Sequence, residues 1–366
     1  MSDDTLSLRL QGVTKRFGEV EVLTGIDVDV RDGEFLTLLG PSGSGKTTLL
    51  RIIVGFEGPS GGAVLLHGRD VSALSPAERD IGMVFQQYAL FPHMTVAQNV
   101  EYGLKLRRWP AEKRRERVGE MLRAVRLDGK EGRYPRELSG GQQQRVAFAR
   151  ALAFGPKLLL MDEPLGALDR SLRLEMEEEI RRVHRELKPT IVYVTHDQQE
   201  ALALSDRIAI MDRGRIAALD TPQRLYYHPN SAFVARFFAN ANVLPVELGE
   251  AKAVRDAADG HVAVRLHGQS LDVAPGAGVG PRDGAAVSVR PRSFSLGARA
   301  DGEQGLRVRG RVAETLLLGE DREVTISLPD GGRIQALLDA RTAHGVDVGA
   351  DVDLFAPADE LVLVAA

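Results

Sequence analysis

Nothing constrains this chain more than the stretch Gly40-Pro41-Ser42-Gly43-Ser44-Gly45-Lys46-Thr47-Thr48, which carries the pattern G-x-x-x-x-G-K-[ST]. It follows an apolar run, Phe35–Leu39, and precedes a helix-competent stretch, Leu49–Val54, so the local order is strand, tight loop, helix. Glycines let successive backbone N–H groups close around phosphate oxygens, and the helix that follows aims its positive end at them. Lys46 adds a point charge for the outer phosphates, and Thr47 adds a hydroxyl for Mg²⁺. An ordinary glycine-rich turn has no need of a Lys-Thr pair at that offset. The pattern therefore predicts a nucleoside triphosphate site on an α/β scaffold.

With 366 residues the chain has room for two domains. Leu6, Leu8 and Leu10 share one strand face, Ile26, Val28 and Val30 another, and Asp32-Gly33 supplies a turn. Phe35–Leu39, Leu158–Met161 and Ile191–Val194 are unbroken apolar runs and read as strands of a parallel sheet covered on both faces. The expected domain, 1–240, is α/β with an antiparallel edge sheet and a helical, Arg-rich insert from about Pro92 to Glu137. The basic run Lys113-Arg114-Arg115-Glu116-Arg117 is interrupted by an acid and reads as a solvated helix face rather than a nucleic-acid patch. In a helix around Glu175–Leu187, Glu177 and Glu178 precede Arg181 and Arg182 by one turn, predicting surface ion pairs worth roughly 0.3 kcal/mol each.

The style changes near Asn240, after a predicted helix Ser231–Phe238, and the second domain is expected over 241–366. Short alternating segments such as Val262/Val264/Leu266, Val324/Ile326/Leu328 and Val352/Leu354 are separated by turns. Pro329-Asp330-Gly331-Gly332 joins two of them as a hairpin, and Ala274–Gly284 and Gly297–Gly305 read as loops. This predicts a small all-β barrel or sandwich. A net charge of −4 gives no whole-chain attraction to nucleic acid or anionic lipid. The absence of cysteine excludes disulfides and thiolate metal sites and fits a reducing compartment. The opening MSDDTLSL lacks the basic and apolar regions of a leader, and no apolar run is long enough to span a bilayer. Any membrane role is expected to come through a partner.

Two further segments carry chemistry. Leu158–Met161 ends in Asp162-Glu163-Pro164. A carboxylate at the carboxyl end of such a strand faces a phosphate loop and can hold Mg²⁺, while its neighbour points elsewhere and can polarise an attacking water. The segment Leu138-Ser139-Gly140-Gly141-Gln142-Gln143-Gln144-Arg145 places a Ser-Gly-Gly turn at a helix start.

In this order the segments resemble the ATPase subunits of ABC transporters over roughly residues 5–235. The implied architecture is a P-loop NTPase domain with an antiparallel β subdomain and a helical subdomain (about 92–150). It is followed by an all-β, oligonucleotide-binding-like (TOBE) domain. The resemblance implies that LSGGQ is the family signature, and that it caps the ATP held by the phosphate loop of a second copy. Ser139, Gly140, Gly141 and Gln142 are then expected to meet nucleotide in trans. Carried over position by position, Glu163 is the catalytic base, His196 the switch histidine on γ-phosphate, and Asp169 part of the loop crossing the dimer interface. Gln86 is the glutamine reaching Mg²⁺ and the attacking water, with Gln87 a second candidate for that role. Phe17 stands where the family stacks an aromatic on adenine. Thr47, Gln86 and Asp162 form the expected Mg²⁺ set, Lys46 and residues 40–48 the ATP cradle, and Arg51 and Arg145 are support for neighbouring loops.

A single ATPase domain followed by a β-rich tail resembles the importer subunits of the polyamine, iron and sugar type, and Tyr134-Pro135-Arg136-Glu137 and Ser288-Val289-Arg290-Pro291 fit that group. The resemblance implies a peripheral ATPase on the cytoplasmic face of the cell membrane, paired with a second copy. It implies docking to a permease through the Gln86 loop and the helical insert, and indirect service to an external solute-binding protein, with polyamines the favoured cargo. The competing class is a soluble ABC ATPase acting on nucleic acid or ribosomes. It requires a strongly basic tail, whereas this tail mixes Asp and Glu among its Arg.

Overall fold

The computed structural model describes residues 6–86, 89–166, 168–246, 261–279, 284–297 and 304–366. Gln87 and parts of the expected loops 274–284 and 297–305 lie outside the described residues. The chain divides into two units, Met1–Pro222 and Gln223–Ala366.

In the first unit, β1 (Leu6–Phe17) and β2 (Val20–Arg31) form a long hairpin, and β3 (Phe35–Leu39) leads into α1 (Lys46–Val54). After β4 (Gly61–Leu66), β5 (Arg69–Asp70) and β6 (Ile81–Val84) comes a helical layer of α2 (Val96–Leu106), α3 (Ala111–Ala124) and α4 (Gly140–Ala153). The order then alternates: β7 (Leu158–Asp162), α5 (Arg170–Leu187), β8 (Ile191–Thr195), α6 (Gln198–Leu204), β9 (Arg207–Asp212) and β10 (Arg215–Asp220). A four-stranded sheet runs β2-β1-β4-β5 and a six-stranded sheet runs β10-β9-β3-β8-β7-β6. In the larger sheet β9, β3, β8, β7 and β6 are parallel and β10 is an antiparallel edge.

The unbroken apolar runs follow from two cores on opposite faces of that sheet. Side chains alternate across a strand, so Leu36, Leu38, Leu158, Leu160, Val192 and Val194 pack with α1 and the antiparallel sheet. Phe35, Leu159, Met161, Ile191 and Tyr193 pack with the helices on the other side. The basic run on α3 is more than a solvated face. Arg114 binds Glu101 of α2 at 2.7 Å, and Arg117 donates to the Ala153 carbonyl at the end of α4 at 2.9 Å. On α5 the expected ion pairs are replaced: Arg182 pairs with Glu179 at 2.6 Å and Glu186 at 2.8 Å. Glu177 is turned inward and buried, because it shares the helix face of Ile180 and Arg173.

The second unit starts within α7 (Pro222–Tyr227), continues with α8 (Ala232–Ala239), and is otherwise strands. These are β11 (Asn242–Pro245), β12 (Val262–Leu266), β13 (Gln269–Pro275), β14 (Ala285–Val289), β15 (Ser295–Leu296), β16 (Gly305–Leu318), β17 (Asp321–Ser327), β18 (Arg333–Asp339), β19 (Asp351–Pro357) and β20 (Leu361–Ala365). They form two five-stranded sheets, β11-β14-β20-β13-β12 and β15-β19-β16-β17-β18, which share one apolar core. The 329–332 turn closes the β17–β18 hairpin in the register Ser327 to Arg333. The division falls ahead of the expected boundary at Asn240 because α8 packs Ala232, Ala235 and Ala239 against Ala286, Val362 and Val364. Among the described residues no helix is long and apolar enough to cross a membrane.

Arg79 is a strut in the first unit. Its buried guanidinium donates to the Ile52 and Ile53 carbonyls at the end of α1 (2.6 and 2.8 Å), to Leu74 and to Ser72 (both 3.0 Å). Burial pulls its pKa down from the usual arginine range. Arg79→Met leaves those carbonyls without a donor and is expected to cost about 2–3 kcal/mol. Urea unfolding followed by the fluorescence of Trp109, the chain's one tryptophan, checks this; an unchanged midpoint refutes it.

Candidate functional site

The chain places its candidate chemistry where a parallel sheet concentrates it, outside the carboxyl ends of the strands. β3, β8, β7 and β6 are successive neighbours. Each is followed by a candidate: the phosphate loop after β3, His196 after β8, Asp162-Glu163 at the end of β7, and Gln86 after β6.

The loop is built by steric exclusion. A Cβ at Gly40 would lie 2.3 Å from the Met211 carbonyl oxygen, so only glycine fits there. Gly43 and Gly45 take φ of +80° and +101°, a region closed to most side chains. Gly45 is the N-cap of α1 and offers no side chain to the first turn, which leaves the N–H groups of Lys46, Thr47 and Thr48 as uncapped donors. The rest of the cradle is packed beneath them. Ser44 N–H bonds the Pro41 carbonyl at 3.2 Å, and Ser44 Oγ is buried without a hydrogen-bond partner among the described residues. Lys46 Nζ lies along the loop, donating to the Gly40 and Pro41 carbonyls at 2.7 and 3.0 Å. Burial lowers its pKa, while Glu163 and Asp162 oppose that shift. Ser42 and Thr47 are exposed and Pro41 is half-buried at the mouth.

Phe17 ends β1 with its ring 49% exposed and Lys15 Nζ 4.8 Å from the ring centroid. Its hairpin is tied to the cradle. Gly214 bonds both Thr24 (2.9 Å) and the Ser44 carbonyl (3.1 Å), and Leu23 packs directly behind Gly45. An aromatic ring held beside a phosphate cradle yet left open to solvent is suited to stacking on a base.

On the acidic side, Asp162 is half-buried, and its pKa is raised by burial first and by Glu163 second, against a lowering by Lys46. Glu163 stands in the left-handed region at φ +43°, held there by its N–H to the Val194 carbonyl (2.9 Å). That turn brings Glu163 Oε1 to 3.3 Å from Nδ1 of His196. A Cβ at Gly166 would meet Gln86 Nε2 at 3.6 Å and the Glu163 carbonyl at 3.5 Å, so the Gln86 side chain lies against the Glu163–Gly166 turn. Thr47 hydroxyl, Asp162 carboxylate and Gln86 amide oxygen are the hard donors that Mg²⁺ takes. Two carboxylates beside a single lysine also make the addition of a cation favourable, so these residues fit that ion.

The signature turn is built differently. Ser139 Oγ accepts from Gln142 N–H at 3.4 Å, and Gln142 Oε1 accepts from Ser139 N–H at 3.3 Å, a reciprocal capping box. Gly140 and Gly141 N–H remain the first-turn donors of α4. The side-chain bonds of 139–144 run within this turn, to Pro135 and Leu138, and from Gln144 to the Pro164 carbonyl at 2.9 Å. Gly140 and Gly141 face Leu168 and Leu172, which flank Asp169. Asp169 itself caps α5 through Leu172 N–H at 3.0 Å. Of the two support arginines, Arg51 pairs with Glu57 at 3.3 Å, and Arg145 lines a cavity of about 180 Å³ with Glu175, Glu178, Glu179, Arg126 and Arg182.

Sequence reasoning missed three side chains that hold these loops. Asn99 is fully buried and clamps the Phe91, Met94 and Thr95 carbonyls and the Phe91 N–H, all within 3.1 Å. Arg150 reaches from α4 to the Ala89 carbonyl at 2.8 Å, just beyond Gln86. Arg173 joins Asp197 at 3.0 Å. No single-residue signal marks them, although an Arg one turn into the helix after Asp169 and an Asp directly after His196 are visible in hindsight.

Residues 23–166 match the ABC transporter family model, and residues 287–364 match that of the TOBE domain. The spermidine/putrescine import ATP-binding protein PotA of Thermobifida fusca is 46% identical over 335 residues, covering 88% of this chain and 84% of that one. PotA 2 of Pseudomonas aeruginosa is 44% identical over 341 residues, covering 90% of each. This chain belongs to the ABC transporter family. CbiO1 of Clostridium perfringens, part of the ABC transporter complex CbiONQ, superposes with a TM-score of 0.57 at 28% identity, covering 61% of this chain and 91% of its own. The chain is thus an ATP-binding ABC ATPase with a carboxyl-terminal TOBE domain, as its motifs led us to expect.

A left-handed Glu163 carries backbone strain of about 1–2 kcal/mol, offset in part by the entropy that glycine loses on folding. Glu163→Gly is therefore expected to stabilise the first unit by about 0.5 kcal/mol or more, read by urea unfolding through Trp109. A clear destabilisation shows that the Glu163 side chain contributes more to folding than its backbone costs.

Proposed function

We propose that this chain is the motor of a polyamine importer, hydrolysing Mg-ATP at two sites formed between two head-to-tail copies. The observation that carries the reading is a split inventory. Lys46, Asp162, Glu163, Gln86 and His196 converge at one end of the sheet, while the Gly140-Gly141 turn packs on Leu168 and Leu172 beside Asp169, and Gln143 and Gln144 bond loops of their own unit. Phosphoryl transfer needs an in-line water, charge complement around the transferring group, and exclusion of solvent. In the assembled site the α1 donors and Lys46 hold the phosphates, and Phe17 stacks on the base. Glu163 accepts a proton from the attacking water, with His196 fixing the carboxylate from 3.3 Å. The mate's Ser139, Gly140 and Gly141 close over the γ-phosphate from the opposite side. Thr47, Asp162 and Gln86 would hold Mg²⁺, which when bound would supply charge neutralisation.

The relatives' names support polyamine import for the whole assembly. The Gln86 loop and the α2–α4 layer are then the permease contact, on the cytoplasmic face of the membrane, with an external binding protein delivering cargo. The second unit argues against a nucleic-acid role through its own pairing: Arg309 meets Asp353 at 3.0 Å and Arg311 meets Asp351 at 3.3 Å. A neutralised row of that kind gives little phosphate attraction.

Glu163→Gln is expected to bind ATP normally, lose at least about 100-fold in kcat, and form a Mg-ATP-dependent dimer by light scattering. Near-normal turnover removes Glu163 from the base role, and a variant that stays monomeric with saturating nucleotide removes the shared site. Uptake of labelled spermidine by membranes carrying the chain with its permease tests the cargo.

A further inference from the structure

The loops carrying Asp169 and His196 are joined by one side chain. Arg173 lies one turn into α5, the helix capped by Asp169, and its Nη1 donates to Asp197 Oδ2 at 3.0 Å. Its Nη2 reaches the Leu168 carbonyl at 3.5 Å, and its Nε faces Glu200 Oε1 at 3.9 Å. Asp197 is the residue after His196. Its other oxygen accepts Gln199 and Glu200 N–H at 2.7 and 3.3 Å and so caps α6, while its own N–H bonds Thr195 Oγ1 at 3.0 Å. Behind it, Tyr193 and Thr195 hydroxyls both donate to Glu200 Oε2 at 2.7 Å. The loop holding His196 is therefore fastened through Asp197, Thr195 and Glu200, and this guanidinium ties it to α5. The surroundings make the tie consequential, since Glu177 and Glu200 are buried acids whose pKa values are raised by burial, and Arg173 opposes both shifts.

We infer that Arg173 is a positioning residue: its fork couples the Asp169 loop, where the second copy docks, to the His196 loop that fixes Glu163. Contact at the interface then sets the hydrolytic geometry without Arg173 touching nucleotide. This inference rests on the shared-site reading above and adds to it the route by which docking reaches the water. Arg suits the place because one planar group serves a carboxylate and a carbonyl together, whereas an ammonium presents a single point.

The test measures ATPase kinetics of the full chain with Arg173→Ala, Arg173→Lys, Asp197→Asn and the Arg173→Ala/Asp197→Asn pair. Arg173→Ala is expected to lower kcat about tenfold with KM for ATP changed less than about twofold, Arg173→Lys to recover part of the loss, and the pair to be no slower than the worse single variant. In a Glu163→Gln background, Arg173→Ala is expected to leave the Mg-ATP-dependent dimer intact, because closure precedes the step it serves. Thermal unfolding read at Trp109 screens each variant, and Asp197→Asn and Arg173→Lys keep the test if the alanine variant fails to fold. Multiplicative losses in the pair, a rise in KM at unchanged kcat, or loss of the dimer overturns the inference. Absence of hydrolysis by the unsubstituted chain overturns the parent reading instead.

Discussion

A helix start with no side chain to cap it is the constraint on which the candidate site depends. At α1 the N-cap is Gly45, whose φ of +101° and lack of a Cβ leave three backbone donors uncommitted. Leaving them so costs stability, and the surrounding structure offsets it: Gly40 against Met211, Leu23 behind Gly45, Gly214 bonded to Ser44, and Arg79 satisfying the far end of α1. The two ends of α1 are therefore opposite in design. The carboxyl end is filled by a buried guanidinium that complements the helix dipole, and the amino end is kept open for anionic oxygen.

The start of α4 shows a graded version of the same physics. Ser139 and Gln142 satisfy each other, which pre-orders the turn, and the two bonds of that box leave the N–H groups of Gly140 and Gly141 out. A fully open turn would fray before it met its ligand. A fully capped one would have nothing to give. The capping box also explains why Gln142, expected to contact nucleotide directly, serves first to hold the turn.

Much of this was legible because glycine, periodicity and motif spacing are local. Phe35–Leu39, Leu158–Met161 and Ile191–Val194 read as doubly covered strands since their alternate residues enter two different cores, and a run without polar interruption is the trace of that. The hairpin at 329–332 was legible for a similar reason. What stayed hidden was set by tertiary direction. Glu177 looked like half of a surface ion pair, yet helix rotation turns it beneath the His196 loop beside Glu200. The helix Ser231–Phe238 was visible as a helix, but nothing in its own letters showed that it packs on strands more than a hundred residues away (Val362 and Val364). Arg150 and Asn99 were illegible because each acts on a backbone carbonyl, and a carbonyl has no letter; Arg173 was illegible because its partner Asp197 lies 24 residues away.

Backbone strain and buried acids occur together around Glu163, and this bears on the proposed motor. Glu163 adopts a left-handed backbone, Asp162 beside it is pushed toward its neutral form by burial and by Glu163, and two further buried acids lie behind His196. Each of these is unfavourable alone. Together they make the resting arrangement one that gains from added positive charge and from closer packing. In the proposed assembly Mg²⁺ would supply the positive charge and a second copy the packing. On that proposal part of the free energy of closure is stored in the open chain, and loss of the γ-phosphate removes the group that bridges the two copies. Opening would then need no separate trigger, and a permease docked as proposed on the α2–α4 layer would be moved by the return of that strain.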